Sequence, residues 1–236
     1  MSDDMQDRLY AAYASTHAGV SNEAADAMAF RQNILPHLPD FRGVAVVDLG
    51  CGQGQLVKQF LLHGYANARG IDISPEQVEL AHAAGITQVT LGDYRSGLDS
   101  SRLDVVTATD FFEHLTKIEV LEALDRVHAA LRPAGVLILR VPNSVSPFGG
   151  NFRYGDFTHE TSFTARSLRQ LGAATGFDEV RVFACPPPVH GAKSLARRVV
   201  WETASGAMKL TLAAETGALR GHLVTQNIIA VLQNGL

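Results

Sequence analysis

The stretch Val46-Val47-Asp48-Leu49-Gly50-Cys51-Gly52-Gln53-Gly54 constrains this chain more than any other. An apolar run that ends in an acid and opens onto three closely spaced glycines reads as a buried strand, a tight turn and the start of a helix. Glycines are needed there because the backbone must take positive φ or pass close against a ligand. Similar β-branched runs at 44–49, 68–73, 86–91, 103–109 and 136–141 predict strands, with helices at 53–63, 75–84 and 117–131 between them. Near-continuous apolar strands separated by helices belong to a parallel sheet covered on both faces. Two final strands are expected at 178–184 and 227–232. Ser74 before Pro75, and Thr164 ahead of a helix ending near Gly176, mark helix starts.

At 236 residues and 46% apolar content the chain suits one α/β domain over 1–236. A helical segment is expected at 1–40. Past the break at Cys185-Pro186-Pro187-Pro188, an insertion over 186–226 is expected to form helices at 195–205 and 208–214. The acidic Met1-Ser2-Asp3-Asp4 start is unlike a secretory signal, no apolar run approaches a membrane span, and Cys51 and Cys185 are too few for a disulfide framework. These features predict a cytoplasmic protein. Residues 1–150 hold 11 Lys/Arg against 18 Asp/Glu, and residues 151–236 hold 9 against 6. A mildly basic tail of that kind is not the clustered stripe that nucleic-acid phosphates require.

Dinucleotide sites favour Gly-x-Gly-x-x-Gly, which seats a pyrophosphate on a helix N-terminus. Here the third glycine, Gly54, comes one residue early, and Asp48 would repel a pyrophosphate while suiting a ligand with an ammonium and a sulfonium. Asp72, at the end of the second strand, can accept both hydroxyls of a ribose. Asp93 after the third strand can accept from an adenine amino group while Tyr94 or Ile73 packs the ring. Helix capping by Asp72 and a turn role for Asp93 are the structural alternatives. Arg31 is within reach of a cofactor carboxylate, although a solvated side chain is the simpler expectation.

In order, Val-Val-Asp-Leu-Gly-Cys-Gly-Gln-Gly, Gly-Ile-Asp-Ile-Ser, Gly-Asp-Tyr, Asp-Val-Val-Thr-Ala-Thr-Asp and Leu-Arg-Pro-Ala-Gly-Val-Leu-Ile-Leu resemble the motifs of class I S-adenosylmethionine-dependent methyltransferases across roughly residues 40–185. The resemblance implies a Rossmann-like seven-stranded sheet, mostly parallel with an antiparallel last strand and helices on both faces. It also implies that S-adenosylmethionine sits against Asp48, Gly50, Cys51, Gly52, Gly54, Asp72, Ile73, Asp93, Tyr94 and Asp110. Cys51 is then a small residue between glycines and not a nucleophile.

After the fourth strand comes Asp110-Phe111-Phe112-Glu113-His114, where one helical turn would aim Asp110, Glu113 and His114 to one side. A polar loop with Arg153, Tyr154, Asp156, Thr158, His159 and Glu160 follows the fifth strand. The acid-x-x-Glu-His pattern resembles ubiquinone-biosynthetic O-methyltransferases and small-RNA 2′-O-methyltransferases. That resemblance implies Asp110, Glu113, His114 and His159 as ligands of Mg or Mn, with Asp where those families have Glu, a shorter reach. Without a metal, His159 or His114 becomes the general base and Glu113 orders the site. Residues 156–164 and the tail through Val231 resemble methyltransferases that accompany surface-polysaccharide and O-antigen synthesis. The expected activity is O-methylation of a sugar, glycan or other small diol. RNA 2′-O-methylation, and a silent cofactor-binding partner of a glycan-synthesis complex, are the alternatives. For the insertion, a lid or homodimer contact is favoured over a membrane-surface helix, because Glu202, Gly206 and Glu215 interrupt its apolar stripe.

Overall fold

The computed structural model describes residues 23–98 and 102–235; residues 1–22 of the expected helical segment 1–40 lie outside them. The described part of that segment forms α1 (Glu23–Asn33) and a short 3-10 turn, Leu35–His37. Then come β1 (Val46–Leu49), α2 (Gln55–Leu62), β2 (Ala68–Asp72), α3 (Pro75–Ala83), β3 (Val89–Leu91), α4 (Tyr94–Gly97) and β4 (Leu103–Thr109). The chain continues through a 3-10 turn at Phe112–His114, α5 (Lys117–Ala130), β5 (Leu131–Pro142), α6 (Gly149–Gly155), α7 (Ala165–Ala174), β6 (Glu179–Cys185), α8 (Ala192–Thr216) and β7 (Asn227–Gln233).

The seven strands pair in the order β3-β2-β1-β4-β5-β7-β6, with β7 antiparallel to both its neighbours and the other pairs parallel. The sheet expected from the motifs is therefore present. Every residue of β1 is buried, because apolar layers cover both faces. On one face Phe30 of α1 and Phe60 of α2 pack against Val46, Val105 and Ile138, while Val57 of α2 and Val78 of α3 close over Val89. On the other, Val120, Leu124 and Val127 of α5 and Leu168 of α7 pack against Val47, Val106 and Leu137. Ser74 caps α3 with Pro75 in its first turn, and Thr164 caps α7 in a reciprocal box with Ser167.

β1 starts at Val46 and not at 44, β5 starts at Leu131 and not at 136, and two further differences concern β3 and the insertion. β3 starts at Val89 and not at 86, because the chain leaves Gly85 with φ +83° and Ile86 packs into the core beneath Gly54. The insertion is one helix of 25 residues, not two. An interior glycine costs about 1 kcal/mol relative to alanine, too little at Gly206 to break a run with no proline and good helix formers on both sides. No described helix is long and apolar enough to cross a membrane.

Candidate active site

β1 runs outward to β2 and β3, and the chain then crosses back to lay β4 on its other side. Open α/β sheets bind ligands at such a switch point, outside the carboxyl ends of the strands. Here those ends carry the glycine turn after β1 and the Asp110-to-His114 segment after β4. Gly50, Gly52 and Gly54 have φ of +63°, +52° and +76°. A side chain at Gly50 would strike Phe111 and one at Gly54 would strike Val89 and Ile86, so neither position has room for one, and Gly50 and Gly52 are left bare along the wall of a cavity.

That cavity, of about 400 Å³, is lined by Gly50, Gly52, Asp72, Ile73, Asp93, Tyr94, Asp110 and His114 among others. Asp72 Oδ2 accepts from the Gly52 amide at 2.7 Å and Oδ1 from the Ser74 amide at 2.9 Å, which fixes the carboxylate at the rim. Ile73 is 59% exposed beside it, an open apolar platform. Asp93 Oδ1 accepts from the Arg95 amide at 2.7 Å and so caps α4, and Oδ2 pairs with the Arg95 guanidinium at 3.2 Å. The turn role weighed for Asp93 is therefore part of its geometry. Tyr94 Oη and Gln77 Oε1 belong to residues that line the cavity, yet they are buried without a hydrogen-bond partner. Such groups cost free energy unless a ligand or water satisfies them, so the cavity suits a polar ligand with an apolar ring. Gln77 stands in the first turn of α3, the helix that follows Asp72, a usable signal in the sequence.

Three expected cofactor residues sit elsewhere. Asp48, Cys51 and Gly54 are not in the cavity lining. Asp48 is buried under the turn and accepts from the Thr107 hydroxyl at 2.7 Å. The Cys51 side chain fills the space over Gly70, and burial pushes its thiol well above the usual range. Arg31 is exposed and does not line the cavity.

The reacting side is held by main-chain bonds. The amides of Glu160 and Thr161 donate to the Glu113 carbonyl at 2.7 and 3.0 Å, and the Thr161 hydroxyl donates to the Phe112 carbonyl at 3.1 Å. Arg153 donates to the carbonyls of His159 and Glu160. These contacts bring His159 to the Phe112–His114 turn, and ligand atoms of Glu113, His114 and His159 lie within 4.8 Å of one another. The two imidazoles meet edge to face with centroids 4.8 Å apart. His159 Nδ1 lies 2.7 Å from the Phe152 carbonyl, which can only accept; the proton is therefore on Nδ1, and Nε2 is left for a ligand. His114 Nδ1 meets the Thr158 hydroxyl at 2.8 Å, and Asp156 accepts from that hydroxyl at 2.6 Å. Burial, aided by His159, pushes His114 down to about 4, so the ring is neutral near pH 7. Burial and the Asp110 charge raise Glu113 well above the carboxylate range, and its Oε2 has no hydrogen-bond partner. A buried acid of this kind needs a proton or a cation to balance it.

Asp110 does not join the cluster. With φ +55° it precedes the 3-10 turn in place of continuing it, and both carboxylate oxygens pair with Arg140, Oδ1 at 3.0 Å from Nε. Arg140 was missed in the sequence, although a lone charge inside the apolar run Val136-Leu137-Ile138-Leu139-Arg140-Val141 was a legible signal.

Comparison with known proteins adds the following. Residues 21–182 match the family described as "Methyltransferase domain". The chain is 30% identical over 111 residues to the ubiquinone biosynthesis O-methyltransferase of Rhodopseudomonas palustris, a match covering 45% of this chain and 43% of that protein. It is 31% identical over 113 residues to the tRNA U34 carboxymethyltransferase of Hahella chejuensis, covering 45% and 34%. The matched stretch thus spans less than half of either relative. A crystal structure of a SAM-dependent methyltransferase from Archaeoglobus fulgidus superposes with a TM-score of 0.66 at 20% identity, covering 95% of this chain and 99% of that one, a likeness of fold.

Proposed function

Because the chain belongs to the class I S-adenosylmethionine-dependent methyltransferases, we propose that it methylates a hydroxyl oxygen of a small acceptor, a sugar or another vicinal diol. The convergence of Glu113, His114 and His159 beside the cavity carries this reading. Bound S-adenosylmethionine supplies a methyl group on an electrophilic sulfonium. The residues fit it: Asp72 offers a fixed carboxylate to the ribose hydroxyls, Ile73 a surface for the adenine, and Tyr94 and Gln77 unsatisfied polar atoms.

Methyl transfer to oxygen requires the hydroxyl proton to leave. His159, with Nδ1 committed to Phe152, can receive it at Nε2, and Asp156 Oδ2 at 3.8 Å stabilises the imidazolium so formed. The same three residues suit a divalent cation such as Mg or Mn: two imidazoles and a buried carboxylate whose charge the cation would balance. Held there, the cation would lower the pKa of a chelated hydroxyl. Asp110, engaged by Arg140, is left out of this ligand set.

The test follows transfer from labelled S-adenosylmethionine to a panel of catechols, sugars and nucleotide sugars. Glu113→Gln and His159→Ala should each lower kcat by about a hundredfold or more, with cofactor affinity kept within twofold. A chelator that reproduces the loss, reversed by Mn²⁺ or Mg²⁺, assigns the cation; full activity in chelator leaves His159 as base. Normal turnover by His159→Ala sinks both roles. The likeness to a tRNA-modifying enzyme motivates a second reading, transfer to RNA. A net charge of -4 gives little attraction to phosphates, and tRNA in the same assay decides it.

A further inference from the structure

Arg95 stands where the cavity lining meets α5, and it is bonded to both sides of that junction. Its main-chain amide donates to Asp93 Oδ1 at 2.7 Å and its Nη1 to Asp93 Oδ2 at 3.2 Å, so one residue engages both oxygens of that carboxylate. The rest of the guanidinium is taken up by α5. Nε donates to the Glu122 carboxylate at 3.3 and 3.4 Å, and Nη2 donates to Glu119 at 3.3 Å and to Glu122 at 3.4 Å. The guanidinium carbon lies 4.6 Å from the centre of the Tyr94 ring, over its face, and Arg126 of α5 donates to the Arg95 carbonyl at 3.1 Å. Ion pairs between partly exposed groups add little stability one by one, and 38% of the Arg95 side chain is exposed. What a planar fork held from three sides does supply is direction.

Asp93 stands just past β3, beside the strand that ends in Asp72. Asp72 pairs with Leu91 across β2 and β3, the Gly92 amide donates to the Asp72 carbonyl at 2.9 Å, and both acids line the cavity. A nucleoside whose ribose hydroxyls meet Asp72 would lay its base over Ile73 and turn the far edge of that base toward Asp93. Each carboxylate oxygen has two lone pairs, and Arg95 occupies one on each. The ligand meets what is left, a pure acceptor held in one orientation. An amino group on the base edge can donate to it, whereas a carbonyl oxygen at the same place opposes it lone pair to lone pair.

We propose that Arg95 is a positioning residue that sets the base specificity of the cofactor site: by fixing the Asp93 carboxylate it makes the site take a 6-aminopurine nucleoside and reject the 6-oxo analogue. This role rests on the cavity's being the S-adenosylmethionine site, and adds the residue that makes the site choose its base. Glu119 and Glu122 complete the arrangement, because a guanidinium turned inward would offer donors to a carbonyl and undo the choice.

Calorimetric titration of S-adenosylhomocysteine and S-inosylhomocysteine, which carry an amino group and an oxygen at that edge, into the full chain tests the proposal. The wild type should bind the adenosyl ligand about thirtyfold or more tighter, as a hydrogen bond to a charged acceptor is exchanged for opposed lone pairs. Arg95→Met should weaken the adenosyl ligand about tenfold and the inosyl ligand about twofold or less, so that the preference collapses. Arg95→Lys, which keeps a cation without the fork, should fall between the two and decides the matter if Arg95→Met does not fold. Asp93→Asn, whose amide can also donate, should bind both ligands within about threefold of each other. Equal weakening of the two ligands by the Arg95 variants would leave Arg95 a purely structural brace and overturn the proposal. So would Asp93→Asn discriminating as well as the wild type, or a wild type that binds both ligands alike; in those cases the cofactor site itself stands. A wild type that binds neither ligand removes the site and the proposal together.

Discussion

Burial, reinforced by the nearby Asp72 charge, pushes the Asp48 carboxyl up to about 7, against the opposing effect of its bond from Thr107. In the unfolded chain the same group titrates near 4. Between those values the folded state holds the extra proton, so stability is largest at low pH and falls as pH rises toward 7. Asp48→Asn keeps the shape and removes the titration. Relative to the wild type, the variant should gain about 1 kcal/mol or more between pH 5 and pH 8, read from thermal or urea unfolding at each pH. A constant difference across that range would show that Asp48 ionises normally. Asp48 looked from sequence like a ligand-facing acid because it ends an apolar strand. Periodicity along the strand does not reveal that Thr107 of β4, 59 residues away, takes up its carboxylate. Asp72 was legible because it ends an apolar strand two residues before Ser74, whose amide orients it; the second orienting amide, that of Gly52, comes from the glycine turn 20 residues earlier.

The glycine turn shows how one element supports the next. Gly70 in β2 faces the Cys51 side chain, and a methyl group there would come within 2.5 Å of the Cys51 sulfur and 2.9 Å of Val57. Gly70→Ala should therefore overpack the junction of the turn with α2, at a cost of about 1–3 kcal/mol. Because the turn also carries the amide of Gly52 to Asp72, cofactor affinity should fall with stability. Calorimetry and denaturation on the same variant test both, and unchanged affinity would separate turn from site. Elements stated by local grammar were readable in advance: the Ser74-Pro75 start of α3, the Thr164 cap of α7, the apolar strands. The Phe112–His114 turn was not, because a left-handed Asp110 gives no signal in its own type and is held by Arg140 from another strand. Nor was the continuity of α8, where one glycine was weighed as a break although its cost is small beside a helix of that length.

At the scale of the molecule, the crossover from β3 back to β4 places everything chemical on one edge of the sheet. The groups proposed to hold the cofactor follow β1, β2 and β3, and those proposed to act on the acceptor follow β4 and β5. Asp72 and Asp93 stand in sequence order at the end of β2 and just past β3 on that edge, whereas Asp48 is buried beneath the glycine turn. The reacting side depends on the loop at 153–161 folding back onto the Phe112–His114 turn, a contact between distant segments that no local pattern encodes. The most direct measurement is calorimetric titration of S-adenosylhomocysteine into the wild type and into Asp72→Ala. One site per chain is expected, weakened in the variant by about 1.5–3 kcal/mol as the ribose hydroxyls lose a charged acceptor. No binding by the wild type, or equal binding by Asp72→Ala, would contradict a cofactor site on this edge.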